Sequence, residues 1–208
     1  KLLLHCFVGC TFESIVAAAG LSSSQAIRSV TRRDLEQIKQ QQLEEAQRKA
    51  AYCKKLSQQG QPLEGTLSQS YLASRGIDHW SSSQRHHSGL IYPNTGERLP
   101  ALLTAIQRSG QLVGLHRTYL NPDGTKRDKL MLGKCKGGAA HLIGQAGPLI
   151  VAEGIETALS LPALHHSDEG RYWAALSASG IKSLDLPKAA DRLVLAADGD
   201  AVGLAAAE

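Results

Sequence analysis

The stretch Pro148-Leu-Ile-Val-Ala-Glu153-Gly-Ile-Glu-Thr-Ala-Leu159 constrains the fold more than any other part of the chain. A short apolar run rich in branched residues reads as a strand buried on both faces. It halts at a carboxylate followed by glycine, and a helical pattern begins at once. Such a strand belongs to a sheet covered by helices on each side, where ligands bind at the carboxyl ends of the strands. The pattern returns in Asp191-Arg-Leu-Val-Leu-Ala-Ala-Asp198-Gly-Asp200, followed by a helix-like run from Ala201 to Glu208. Between them Tyr172-Trp-Ala-Ala-Leu-Ser-Ala reads as a further strand, with Ser177 to Gly180 as its turn. The order β-α-β-α-β-α implies a parallel sheet with right-handed crossovers.

Two strand ends thus offer three carboxylates, Glu153, Asp198 and Asp200. Carboxylates brought together repel one another unless a proton or a hard cation sits between them, and Mg2+ or Mn2+ takes oxygen ligands of this kind. Asp198 and Asp200, two apart, point to one side if the extended geometry persists across Gly199. Acids at strand ends and Asp-Gly-Asp sequences also make ordinary turns, so either motif alone is ambiguous.

The preceding region reads as a small antiparallel sheet. Arg98-Leu-Pro-Ala-Leu-Leu-Thr-Ala-Ile and Gln111-Leu-Val-Gly-Leu-His-Arg-Thr-Tyr-Leu120 flank Ser109-Gly110, a hairpin signal; Asn121-Pro-Asp-Gly124 is a second turn, and Lys126 to Leu132 a third strand. Positive charge concentrates here, with six basic residues against two acids between Arg117 and Lys136. Such a cluster beside an acidic metal centre suits a phosphate-bearing substrate, although alternation on a solvated sheet also produces lysines. Gly137-Gly138, Gly144 and Gly147-Pro148 read as loops, without the spacing of a phosphate-cradling fingerprint. Ser81 to Gly89 reads as loop too, with His86 and His87 assigned no role.

Toward the N-terminus, Thr66 to Gly76 reads as a compact capped helix, and Thr31 to about Gln59 as a solvated helix with a thin apolar stripe of Leu43, Ala46, Ala50 and Cys53. A strand at Lys1–Leu4 leads into His5-Cys6-Phe-Val-Gly-Cys10, then a helix from about Thr11 to Ala19. Cys6 and Cys10 can supply half of a tetrahedral zinc site, with His5 as a further ligand, or can be two small buried thiols. A length of 208 residues allows one good core plus a small accessory module. Net charge +4 and sequence pI near 8.9 permit a polyanionic partner, and no run approaches a membrane span. Four cysteines without a signal peptide point to a reducing, cytoplasmic setting. A start at Lys1 and an end inside an alanine-rich helix read as a piece of a longer protein.

The wording Leu-Ile-Val-Ala-Glu153-Gly-Ile-Glu-Thr-Ala-Leu-Ser, with Ala-Ala-Asp198-Gly-Asp200-Ala-Val-Gly, resembles the Toprim domain of primases, topoisomerases and some nucleases. It is most similar to primase-like proteins of phages, plasmids and mobile elements. The resemblance implies Glu153 as general acid/base, with Asp198 and Asp200 holding Mg2+ or Mn2+. It also implies Arg117, Lys129 and Lys134 as nucleotide or template contacts, from the similarity of Lys129-Leu-Met-Leu-Gly-Lys134 to a lysine-containing segment ahead of the Toprim strand. His5-Cys6-Phe-Val-Gly-Cys10 is similar to the last knuckle of an N-terminal zinc module, whose other ligands would precede Lys1.

Four segments are therefore expected: 1–30 as the end of a zinc-ribbon-like module, 31–62 as a helical linker, 63–147 as a basic α+β primase core, and 148–208 as a C-terminally truncated Toprim domain. The implied fold is α/β, a Toprim-type parallel sheet flanked by helices. The implied activity is metal-dependent RNA-primer synthesis on single-stranded DNA from ribonucleotides, with a replicative helicase as a further partner. Two alternatives stand beside it. Asp198-x-Asp200 is similar to the haloacid-dehalogenase signature, which implies a phosphohydrolase with Asp198 as nucleophile, although Ala201 stands where that family has Thr. The chain could otherwise serve as a non-catalytic DNA-binding or helicase-docking module.

Overall fold

The computed structural model describes residues 10–20, 32–165, 169–187, 192–197, 199, 201, 203 and 205. The chain divides into two compact units, Lys1–Glu44 and Glu45–Glu208. In the first, α1 (Phe12–Ala18) is capped by Thr11, whose hydroxyl accepts from the Ser14 amide. Cys10 is exposed, while Cys6, His5 and the strand expected at Lys1–Leu4 lie outside the described residues. Helix α2 (Arg32–Gln59) begins in the first unit and ends in the second.

Within the second unit a four-stranded antiparallel sheet is built from β1 (Gln84–Ile91), β2 (Arg98–Arg108), β3 (Gln111–Leu120) and β4 (Lys126–Gly133), in that order. The β2–β3 hairpin closes on Ser109 and Gly110, both at positive φ, the geometry whose twist matches the flanking strands. The sheet is covered on both sides, which is why β2 reads as a nearly continuous apolar run. Ala101, Leu103, Ala105, Leu115 and Tyr119 pack with Cys53 and Leu56 of α2 on one face. Cys53 and Leu56 thus anchor the last turns of α2, most of whose other side chains stay exposed, and Leu43 is exposed as well. On the other face Leu102 and Leu120 meet Tyr71 and Leu72 of α3 (Leu67–Ser74) together with α4 (Ile155–His165).

The second sheet has the order β5-β7-β6-β8, from β5 (Ala140–Ile143), β6 (Leu149–Ala152), β7 (Arg171–Ala174) and β8 (Leu193–Ala196). β6 runs parallel to both β7 and β8 and is buried throughout. Helix α4 packs with Ile150, Ala152, Tyr172 and Ala174 on one face; Ile181 of α5 (Ala178–Ser183) packs with Leu149, Val151 and Trp173 on the other. Helices on opposite faces let the chain pass from β6 to β7 and then back across β6 to β8 with the usual handedness. Leu159 of α4 is fully buried at this junction, where removing such a side chain from water is worth roughly 1.5–3 kcal/mol.

Two expectations are corrected. The segment read as loops before Pro148 contains β5, which adds to β7 antiparallel and makes the sheet mixed rather than wholly parallel. The segment read as loop around Ser81–Gly89 contains most of β1; His86 is buried there, hydrogen-bonded through Nδ1 to the Ser68 hydroxyl at 2.8 Å, and its backbone pairs with Gln61. Polar residues can line a covered strand when each finds a partner of this kind.

Candidate active site

The acids expected to act together come from β6 and β8. These strands are neighbours, and Ala152 pairs with Ala196 in parallel register, so their carboxyl ends stand side by side at about the 4.8 Å spacing of adjacent strands. Because β6 leads to β7 on one side while β8 lies on the other, this is the switch point of the sheet, where open α/β sheets bind ligands. Glu153 follows Ala152 there, half-buried. Asp198 and Asp200 lie outside the described residues, one and three positions beyond Ala197. Among the described residues no group of three or more His, Cys, Asp or Glu side chains could hold a metal ion.

Close after Glu153, in the first turn of α4, lies a polar cluster that no sequence motif marks. The Tyr71 hydroxyl donates to Oε1 of Glu156 at 2.5 Å, tying α3 to the first turn of α4. Burial pushes the Glu156 carboxyl up, but the Tyr71 hydrogen bond, its own backbone amide and the nearby Lys126 outweigh burial and hold it below the usual carboxylate range. Burial, and then the same bond, raise the Tyr71 phenol. His116 on β3 faces this cluster; it is buried and is pushed down to about 4, first by burial and then by Lys129, Arg117 and Lys126, against the pull of Glu156. Its Nδ1 lies 3.4 Å from the Thr118 hydroxyl. An acid three residues after Glu153, in the first turn of the following helix, was the signal available in the sequence.

His116 gives a test of this arrangement. As pH falls from about 6.5 to about 4, the unfolded chain takes up a proton that the folded chain refuses, so stability drops across that window by up to about 3 kcal/mol and is unaffected by His116 above it. Thermal melts of the His116→Gln variant are expected to lose this part of the acid slope; an unchanged slope would show that His116 protonates freely in the folded state.

The basic residues divide between the two faces of the first sheet. Thr118 pairs with Lys129, so exposed Lys129 shares the face of His116 and lies toward α4. Arg117 projects to the opposite face, toward α2; its Nη1 donates to the Tyr119 hydroxyl at 3.1 Å, its Nη2 to the Met131 carbonyl at 3.2 Å, and its guanidinium lies 5.7 Å from the Tyr119 ring centre. Lys134 is exposed just beyond β4. Lys129 and Arg117 therefore do not converge on one point. The described free cysteines are Cys10, Cys53 and Cys135. The last two both donate to the Leu132 carbonyl oxygen, and burial pushes the Cys135 thiol up to about 11, which suits packing rather than metal ligation.

Residues 47–142 match the model of a domain of unknown function, DUF7146, and residues 148–208 match the model of a Toprim domain. No curated protein and no solved structure matches the chain. Toprim domains occur in primases and in related nucleases and topoisomerases, and they typically bind Mg2+. No described helix is long and apolar enough to cross a membrane. The half-buried carboxylate at the switch point, the parallel β6–β8 register and the match over residues 148–208 lead to one conclusion: this is a Toprim-containing protein.

Proposed function

We propose that the chain is primase-like and joins ribonucleotides into an RNA primer on single-stranded DNA, in the replication of a phage- or plasmid-type element. The observation that carries the reading is the pairing of Ala152 with Ala196, which ends two acid-bearing strands side by side in a Toprim domain. Glu153, Asp198 and Asp200 would together supply hard oxygen donors of the kind Mg2+ or Mn2+ takes. A cation held there would neutralise charge on the reacting phosphate.

The chain's own residues do the rest. Glu153 accepts the proton of the attacking 3′-hydroxyl as the new phosphodiester forms and pyrophosphate leaves. Lys129, on the face turned toward α4, and Lys134 grip the triphosphate or the template and hold the reactants in line. In this reading residues 63–147 supply the basic platform and 148–208 the acid centre. Residues 31–62 link them to an N-terminal part whose Cys6 and Cys10 belong, in this reading, to a zinc module, and a replicative helicase delivers the strand.

The test is primer synthesis by the purified chain on single-stranded DNA, with Mn2+ or Mg2+ and labelled ribonucleotides. Product is expected with metal, none with EDTA, and at least a hundredfold less from Asp198→Asn or Asp200→Asn. Metal-independent product, or product unchanged in both variants, would reject the assignment.

A further inference from the structure

Outside the acid centre, the sheet face that packs on α2 carries a cavity of about 280 Å3 whose charged lining is entirely basic. Lys55 comes from α2, Arg98 from β2 and Arg117 from β3, with half-buried His87 from β1; among the described residues no acid lines it. On α2, Tyr52, Lys55 and Gln59 fall on one helical face around Leu56, which anchors the helix to the sheet. Tyr52, also in the lining, is 50% exposed as a residue. The Arg117 Nε is buried and, among the described residues, has no hydrogen-bond partner, although the two Nη groups are engaged. The Nε itself is closed to solvent, so the pocket reads through its lining: three cations from three elements and no described acid among the lining side chains favour an anionic ligand.

We propose that this pocket is a second nucleic-acid site, which holds the backbone of a single strand on the face of the first sheet opposite Lys129. Lys55, Arg98 and Arg117 take phosphate oxygens, and Tyr52 stacks a base. A strand fits better than a free nucleotide for two reasons. The cations come from three separate elements rather than one loop, and the exposed Tyr52 in the lining offers the sequence-tolerant stacking platform that single-strand binders use. The pocket would hold template away from the acid centre, so that Arg117 acts on the strand and Lys129 at the reacting end. The choice of a strand as ligand rests on the reading above, but binding here requires neither metal nor catalysis.

The test is therefore run in EDTA, by fluorescence anisotropy of a labelled oligo-dT strand with the full chain, at 50 and 200 mM salt. The pair Lys55→Glu and Arg98→Glu, both exposed, is expected to weaken binding at least tenfold and to flatten the salt dependence by about one to one and a half in log–log slope, since each lost single-strand phosphate contact accounts for roughly 0.7. The neutral pair Lys55→Gln and Arg98→Gln should lose less, and Tyr52→Ala about fivefold or more without changing the slope. Glu153→Gln, which cripples the proposed chemistry, should bind the strand like the parent. Unchanged affinity and slope in the charge-reversed pair would overturn the proposal. So would an equal loss in a control pair of the same charge change elsewhere, Lys39→Glu with Lys182→Glu, or a loss of GTP binding alone with the strand still held.

Discussion

Glu153→Gln is expected to lower the turnover of primer synthesis by about 10²- to 10⁴-fold at saturating strand and nucleotide, while thermal stability stays within about 0.5 kcal/mol of the parent. The amide keeps the size of the side chain and can still accept a hydrogen bond, but it cannot take the proton of the attacking hydroxyl. Its place explains why the fold should tolerate the change: Glu153 is half-buried just past β6, and the core beneath it is made by Leu149, Ile150, Val151 and Ala152. Steady-state primer synthesis with the concentration of Mn2+ varied separates the two roles the residue could combine. A loss confined to turnover marks proton transfer, and a loss that excess Mn2+ repairs marks metal binding. A variant as fast as the parent would remove Glu153 from the chemistry altogether.

Gly144→Ala should produce the largest loss of stability among glycine substitutions at exposed positions, about 2–5 kcal/mol, or a melting temperature lower by roughly 4 to 20 °C. Gly144 follows β5 with φ +72°, where an added Cβ meets the left-handed penalty and would also overlap the Gly170 carbonyl oxygen and carbon. That oxygen belongs to the backbone entering β7, so relief requires moving the strand that pairs with both β5 and β6. The comparison that isolates the clash is Gly110→Ala in the β2–β3 turn. Its φ is similar, at +75°, but nothing lies within 4 Å of the added carbon, so only the conformational cost of about 1–2 kcal/mol is expected. Equal losses at the two sites, measured by thermal or urea unfolding, would show that β5 yields without disturbing β7.

Much of the fold was legible wherever local chemistry and global burial agree. The Leu149–Ala152 strand, the Ser109-Gly110 turn with both residues at positive φ, and α3 capped by Thr66 are signalled by residues that hardly allow another local structure. β1 and β5 were not legible. β1 carries His86-His87-Ser-Gly and owes its place to Ser68 and Gln61, partners far from it in sequence; β5 is four residues between glycines and exists because β7 offers it an edge. The pair Tyr71–Glu156 was hidden for the same reason, since 85 positions separate the two residues.

By itself, the amino-acid sequence determined the chemistry on offer: carboxylates at the ends of apolar strands, a basic stretch ahead of them, and the parallel β-α-β order that the Toprim match bears out in coarse form. Only the tertiary structure decided how those groups are shared out. Thr118 rather than Arg117 stands opposite Lys129, and because side chains alternate across a sheet, that register sends Arg117 to the α2 pocket and Lys129 to the side of α4. Composition counts both as positive charge in one segment. Strand pairing, a contact between distant parts of the chain, puts them on opposite faces, and a slip of one residue would have exchanged them.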